Sequence, residues 1–124
     1  MSFKEYFGVE GPLLPRLASG FGAGIGQKGS VCGALTASVM AIGMKFGRTD
    51  PKDREALSRV NERCRGFWDR FEREFGSSGC YNLIGYHLSD PGENEKWRKT
   101  GGRDKCARLV EKTARMLCDF MKEP

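Results

Sequence analysis

The side chains best suited to chemistry in this chain of 124 residues are its five cysteines, Cys32, Cys64, Cys80, Cys106 and Cys118. A thiolate is a nucleophile, a ligand for soft metals and one half of a redox couple. The cysteine count is odd and the chain begins MSFKEYFG, with no basic start followed by an apolar run. Both features speak against a secreted disulfide scaffold and for a cytoplasmic protein. In a reducing compartment such cysteines are core residues, metal or cluster ligands, or redox thiols, and their place in the fold must separate these cases. No pair has C-x-x-C spacing, so the thioredoxin and zinc-ribbon signatures are absent. Any shared site has to be assembled from separate helices.

The elements that would do this are read from periodicity and punctuation. Residues 1–11 show no clear period and read as an extended lead-in or a short helical turn, and Leu13 to Phe21 as a brief helix. Glycine then falls at every second position from Gly20 to Gly26. Ser30 is the expected cap of a small-residue helix from Val31 to Phe46, stopped by Gly47. Asp50-Pro51 is the expected start of the next helix, on which Leu57, Val60, Cys64, Phe67, Trp68, Phe71 and Phe75 form an apolar stripe ended by Gly76. After Ser77 or Ser78, the residues Cys80, Leu83, Ile84 and His87 share helical spacing. Ser89 to Gly102, rich in charge and containing Pro91 and Gly92, reads as an exposed loop carrying Trp97. A last helix from about Asp104 to Met121 has Cys106, Leu109, Val110, Ala114, Leu117, Cys118 and Met121 as its apolar side. No segment alternates with period two. The expected fold is one all-α domain over 1–124, a bundle of about four to five helices with the glycine-rich loop before the central one.

On that map the cysteines divide. Cys32, Cys80 and Cys106 each fall two residues after a capping residue, in the first turn of a helix. There, unpaired N–H groups and the helix dipole favour a thiolate. Cys64 lies on an apolar stripe and Cys118 near a helix C-terminus, and both read as buried hydrophobes. Cys106 and Cys118 are also twelve residues apart, about 18 Å along a helix, too far to share one small site.

Other constellations are weaker. Gly24-Ile-Gly26-Gln-Lys-Gly29 matches GxGxxG in form, but no strand precedes it. Lys28 precedes Gly29, which excludes a P-loop. The loop's better use is a bend of exposed N–H groups beside Cys32, able to bond a sulfur, or a place for helices to pack closely. His87 is the sole histidine and reads chiefly as a surface or core residue. The net charge of +5 is spread along the chain with interleaved signs, which argues against nucleic-acid binding. The longest apolar stretch, Val31 to Met44, is interrupted by Gly33, Thr36, Ser38 and Gly43, so no membrane span is expected.

The run Ser19 to Gly26, Cys32-Gly33-Ala34, Phe75-Gly76-Ser77 leading to Cys80, and Cys106 opening the last helix together resemble the family of redox-active proteins named C_GCAxxG_C_C, from about Tyr6 to Leu117. The resemblance implies a small helical domain with four characteristic cysteines, related to a domain of split-Soret cytochromes associated with an iron–sulfur centre. Cys32, Cys80 and Cys106 match three of the four. This sequence has no cysteine before Cys32, where the family's first one lies, and Ala37 replaces the last glycine of the motif. Three explanations stay open: a shortened start lacking the N-terminal helix; a substitute ligand, from Cys64, His87 or a second subunit; or loss of the metal function. The leading expectation is a redox protein in which Cys32, Cys80 and Cys106 converge on an iron–sulfur cluster or thiophilic metal for electron transfer or sensing. Thiol–disulfide exchange without metal, or a helical interaction module without chemistry, are the alternatives. The redox partner is unknown, and the small-residue helix suits an intrachain seam or a homodimer.

Overall fold

The computed structural model describes residues 12–124, and the lead-in expected at residues 1–11 lies outside them. The all-α expectation holds, with six α-helices among the described residues rather than four to five. They are α1 Leu13–Ala18, α2 Gly33–Phe46, α3 Arg54–Phe75, α4 Cys80–Ile84, α5 Pro91–Lys99 and α6 Gly102–Lys122, and a short 3-10 turn, Ser19–Phe21, follows α1.

The additional helix is α5, in the stretch expected to be a loop. Asp90 accepts a hydrogen bond from the Glu93 N–H at 3.1 Å and Pro91 occupies the first turn, while Lys96, Arg98 and Lys99 suit the negative end of the dipole. Its start therefore bears the signature expected at Asp50-Pro51. There the true cap lies three residues further on: Asp53 accepts from the Ala56 N–H at 3.0 Å and α3 begins at Arg54. Gly76, with φ of 89°, terminates α3 as expected.

The core is a three-helix seam. α2 packs against both α3 and α6, and α3 meets α6. Leu35, Ala41 and Ile42 of α2 are buried against Phe67 and Phe71 of α3 and Phe120 and Met121 of α6. Phe67 and Phe120 meet edge to face with ring centroids 5.4 Å apart. The small residues of α2 allow this approach, and its buried Ser38 keeps its hydroxyl bonded to the Ala34 carbonyl at 2.7 Å.

The buried face of α6 differs from the expected one. Thr113 is buried while Val110, Ala114 and Cys118 are exposed. Leu109, Leu117 and Met121 stay on the inner side, so the face is turned by about half a position, roughly 50°. Thr113 can lie inside because its hydroxyl donates to the Leu109 carbonyl at 2.7 Å.

Candidate functional site

The glycine-rich loop adopts a conformation that its alternating glycines only half explain. Five consecutive residues, Ala23, Gly24, Ile25, Gly26 and Gln27, have φ between 52° and 75°. Three of them carry side chains, for which this left-handed region is costly. Gly24 has no alternative residue, since a Cβ there would run into the backbone of Gly29 and Ser30. The amides of residues 25–30 all donate within the loop, among them Gly26 to the Gly20 carbonyl at 2.8 Å and Ser30 to the Gly24 carbonyl at 2.9 Å. The expected row of free N–H groups beside Cys32 is therefore spent on the loop's own carbonyls.

What the loop does is present Cys32 to α4. Val31 and Gly79 form an isolated antiparallel bridge, in which the Cys32 N–H donates to the Ser78 carbonyl at 2.8 Å and the Cys80 N–H to the Ser30 carbonyl at 2.6 Å. Each cysteine follows a bridge residue by one position, so the bridge ties the two cysteine backbones together. Tyr81 extends the ladder, donating to the Gly29 carbonyl at 3.1 Å. Ser77 supports the turn below, its hydroxyl accepting from the Gly79 N–H at 3.0 Å.

Of the three expected first-turn positions, only that of Cys80 holds. Cys32 is the cap residue of α2, in place of Ser30, and Cys80 is the first residue of α4, whose cap is Gly79 rather than a serine. Cys106 is a correction: α6 begins at Gly102, two residues earlier than expected, so Cys106 sits in its second turn. Neither Cys32 nor Gly79 makes a side-chain capping bond.

The three thiols are neighbours electrostatically. Burial first, then the charges of Cys32 and Cys106, push the Cys80 thiol up to about 11. Burial and Cys32 likewise raise Cys106, against which the Trp97 indole N–H works in the opposite direction. The helix ends thus do not yield depressed thiols at Cys80 and Cys106, because desolvation and mutual repulsion outweigh them. All five cysteines are free, and among the described residues no group of three His, Cys, Asp or Glu side chains is gathered closely enough to hold a metal ion.

The remaining candidates stand apart from this trio. Cys64 packs against the core, and burial alone raises its pKa, with no cysteine contributing. It is half-buried at the edge of the core rather than fully buried as expected. Cys118, expected to be buried, is exposed on the turned-away face of α6. His87 does not continue α4, which ends at Gly85 with φ of 77°. Its ring stacks on Tyr81 at 4.1 Å between centroids, near Gly29. Trp97, expected on a loop, lies on α5 and folds back onto the start of α6. With Leu83, Tyr86, Lys105 and Cys106 it lines a cavity of about 200 Å³, which neither Cys32 nor Cys80 lines.

Compared with known families, residues 1–120 match the family described as "Putative redox-active protein (C_GCAxxG_C_C)". No curated protein and no solved structure matches. No helix among the described residues is long and apolar enough to cross a membrane.

Proposed function

This chain belongs to the redox-active C_GCAxxG_C_C family, and on that premise we propose that Cys32, Cys80 and Cys106 are its working thiols and that they act by thiol–disulfide exchange. The observation that carries this reading is their mutual electrostatic coupling without a gathered metal-binding group. An iron–sulfur cluster normally takes four protein ligands. The donor set here is three thiols, set apart from Cys64 and His87, and it does not by itself fit a closed cluster.

The chemistry follows from the burial that opposes ionisation of Cys80 and Cys106 and from the place of Cys32 at the start of α2. The Cys32 thiolate, at the cap of α2, attacks a sulfur of a partner disulfide. A mixed disulfide forms and the partner's other sulfur leaves as a thiolate. Capping Cys32 in this way removes its charge, and with it part of the repulsion that keeps Cys80 protonated. Cys80 then loses its proton to solvent and attacks the Cys32 sulfur. A Cys32–Cys80 disulfide forms and the second partner thiolate departs. Two electrons pass from the Cys32–Cys80 dithiol to the partner disulfide, with the third thiol, Cys106, on the cavity side. Exchange of this kind needs the dithiol to be reduced between turnovers, and the compartment we propose is the cytoplasm, where thiols are kept reduced.

One observation favours a second reading, in which a thiophilic metal is bound with further donors from a second subunit. A cation would relieve the repulsion that holds Cys80 and Cys106 protonated.

Anaerobic purification followed by iron, zinc and acid-labile sulfide analysis, then oxidation and disulfide mapping, separates these readings. The expected result is metal-free protein in which oxidation joins Cys32 to Cys80 and leaves Cys64 and Cys118 alkylable. Near-stoichiometric iron with sulfide overturns it in favour of a cluster. Neither metal nor disulfide leaves a helical interaction module.

A further inference from the structure

The cavity beside Cys106 contains a polar atom that the fold leaves without a partner. Trp97 Nε1 is buried and makes no hydrogen bond. The other tryptophan behaves differently: Trp68 Nε1 donates to Glu72 at 2.7 Å on an exposed face. A buried indole N–H without an acceptor is costly, and most are satisfied. The group within its influence is the Cys106 sulfur, with which it shares the cavity wall. A neutral thiol is a weak acceptor and a thiolate a strong one, so the contact short of bonding geometry tightens when the sulfur carries charge.

The placement of the ring is built into the chain. The indole lies against Gly102, the first residue of α6, where a Cβ would collide with Trp97 Cδ1 and Nε1. Gly102 has no left-handed backbone that would call for glycine. Helix propensity alone would favour alanine there. The glycine is explained by the ring that covers it, and Gly101, with φ of 79°, makes the turn that brings α5 back over α6.

We propose that Trp97 is a positioning residue whose indole N–H donates to the Cys106 sulfur when that sulfur ionises, with Gly102 as the seat that aims it. This rests on Cys106 being one of the working thiols. The test uses the full chain in three variants, Trp97→Phe, Gly102→Ala and Cys106→Ala, with two readouts. Iodoacetamide alkylation of Cys106, followed by mass spectrometry at fixed pH, should slow about tenfold in Trp97→Phe, the effect of losing one charge-assisted hydrogen bond. Cys32 alkylation should stay unchanged. In nitrogen–proton spectra, the Trp97 indole resonance should move in both Gly102→Ala and Cys106→Ala while that of Trp68 stays in place.

Gly102→Ala displaces the ring while keeping both the indole and the thiol, so a Trp97→Phe chain that fails to fold leaves the question decidable. An indole resonance unmoved by Cys106→Ala, or Cys106 alkylation unchanged in both Trp97→Phe and Gly102→Ala, overturns the proposal. If the exchange reading fails instead, metal appears in the purified protein or the disulfide does not form, and the indole resonance still reports on the contact.

Discussion

The two ends of α2 are stabilised by different means. Its C-terminal half belongs to the seam with α3 and α6, where Ala41, Ile42, Phe67, Phe71 and Phe120 exclude water. Its N-terminal end belongs to the cysteine site, where a left-handed loop, an isolated bridge and the five-residue α4 are tied by backbone hydrogen bonds. The seam tolerates a change of register at its surface because burial is non-directional. The site does not, because each bond fixes one amide against one carbonyl. Its three thiols come from three different elements, so their neighbourhood depends on the loop more than on the core.

The widest separation between the two regions is expected from Phe67→Ala. Phe67 is fully buried and packs edge to face on Phe120, so truncation should cost about 3–5 kcal/mol, read from urea unfolding at neutral pH. Half that cost or less would mean that the seam can collapse around the gap and is not the main source of stability. In conditions where the variant remains folded, Cys32 alkylation should match the parent chain.

Gly24→Ala attacks the other region. The backbone there has φ of 75° and no room for a Cβ, so the variant should lose about 1–3 kcal/mol. It should also change what Phe67→Ala leaves alone. With the loop displaced, the bridge from Val31 to Gly79 opens and Cys80 becomes alkylable at a rate nearer that of Cys118. A Gly24→Ala chain with Cys80 still protected would show that the bridge stands without the loop, and the contrast between the two regions would then be one of composition alone.

Periodicity made the seam legible, and punctuation misled where it was read without its context. The stripe from Leu57 to Phe75 is α3, and Gly76 ends it. Asp50-Pro51 was the more conspicuous start signal, yet Asp53 is the cap, because Asp50 instead turns the chain through its contact with the Lys52 N–H at 2.9 Å. The same Asp-Pro pair at Asp90-Pro91 does open a helix. It was hidden because α5 has a single large apolar residue, Trp97, and so no period to detect. On α6, composition placed Val110 and Cys118 inside and Thr113 outside, the reverse of what a hydroxyl satisfied by its own helix permits. At the site, the alternating glycines signalled an unusual backbone. They could not signal that Ala23, Ile25 and Gln27 share it, since that follows from hydrogen bonds six residues apart. The trio of cysteines was legible, whereas the indole that faces one of them was not.

The smallest effect, absent at neutral pH, is the one most specific to the site. The Cys80 thiol titrates near 9.0 in the unfolded chain and at about 11 when folded. Below pH 9 both states hold the proton and stability is independent of this group. Between about 9 and 11 the unfolded chain gives up its proton while the folded chain keeps it, so stability falls as pH rises, and the fall levels off above the folded value. Cys106, raised by the same causes, contributes in the same direction. Urea midpoints at pH 8, 9.5 and 10.5 should therefore decline less steeply in Cys80→Ala than in the parent chain, and less again in Cys80→Ala with Cys106→Ala. Cys118→Ala, altering an exposed thiol, should keep the parent slope. Lysines and tyrosines titrate in this window too, but they are common to all these chains, so the difference in slope isolates the cysteines. A parent slope retained in Cys80→Ala would break the assignment of Cys80 to a desolvated, mutually repelling trio and return it to the ordinary thiols of the surface.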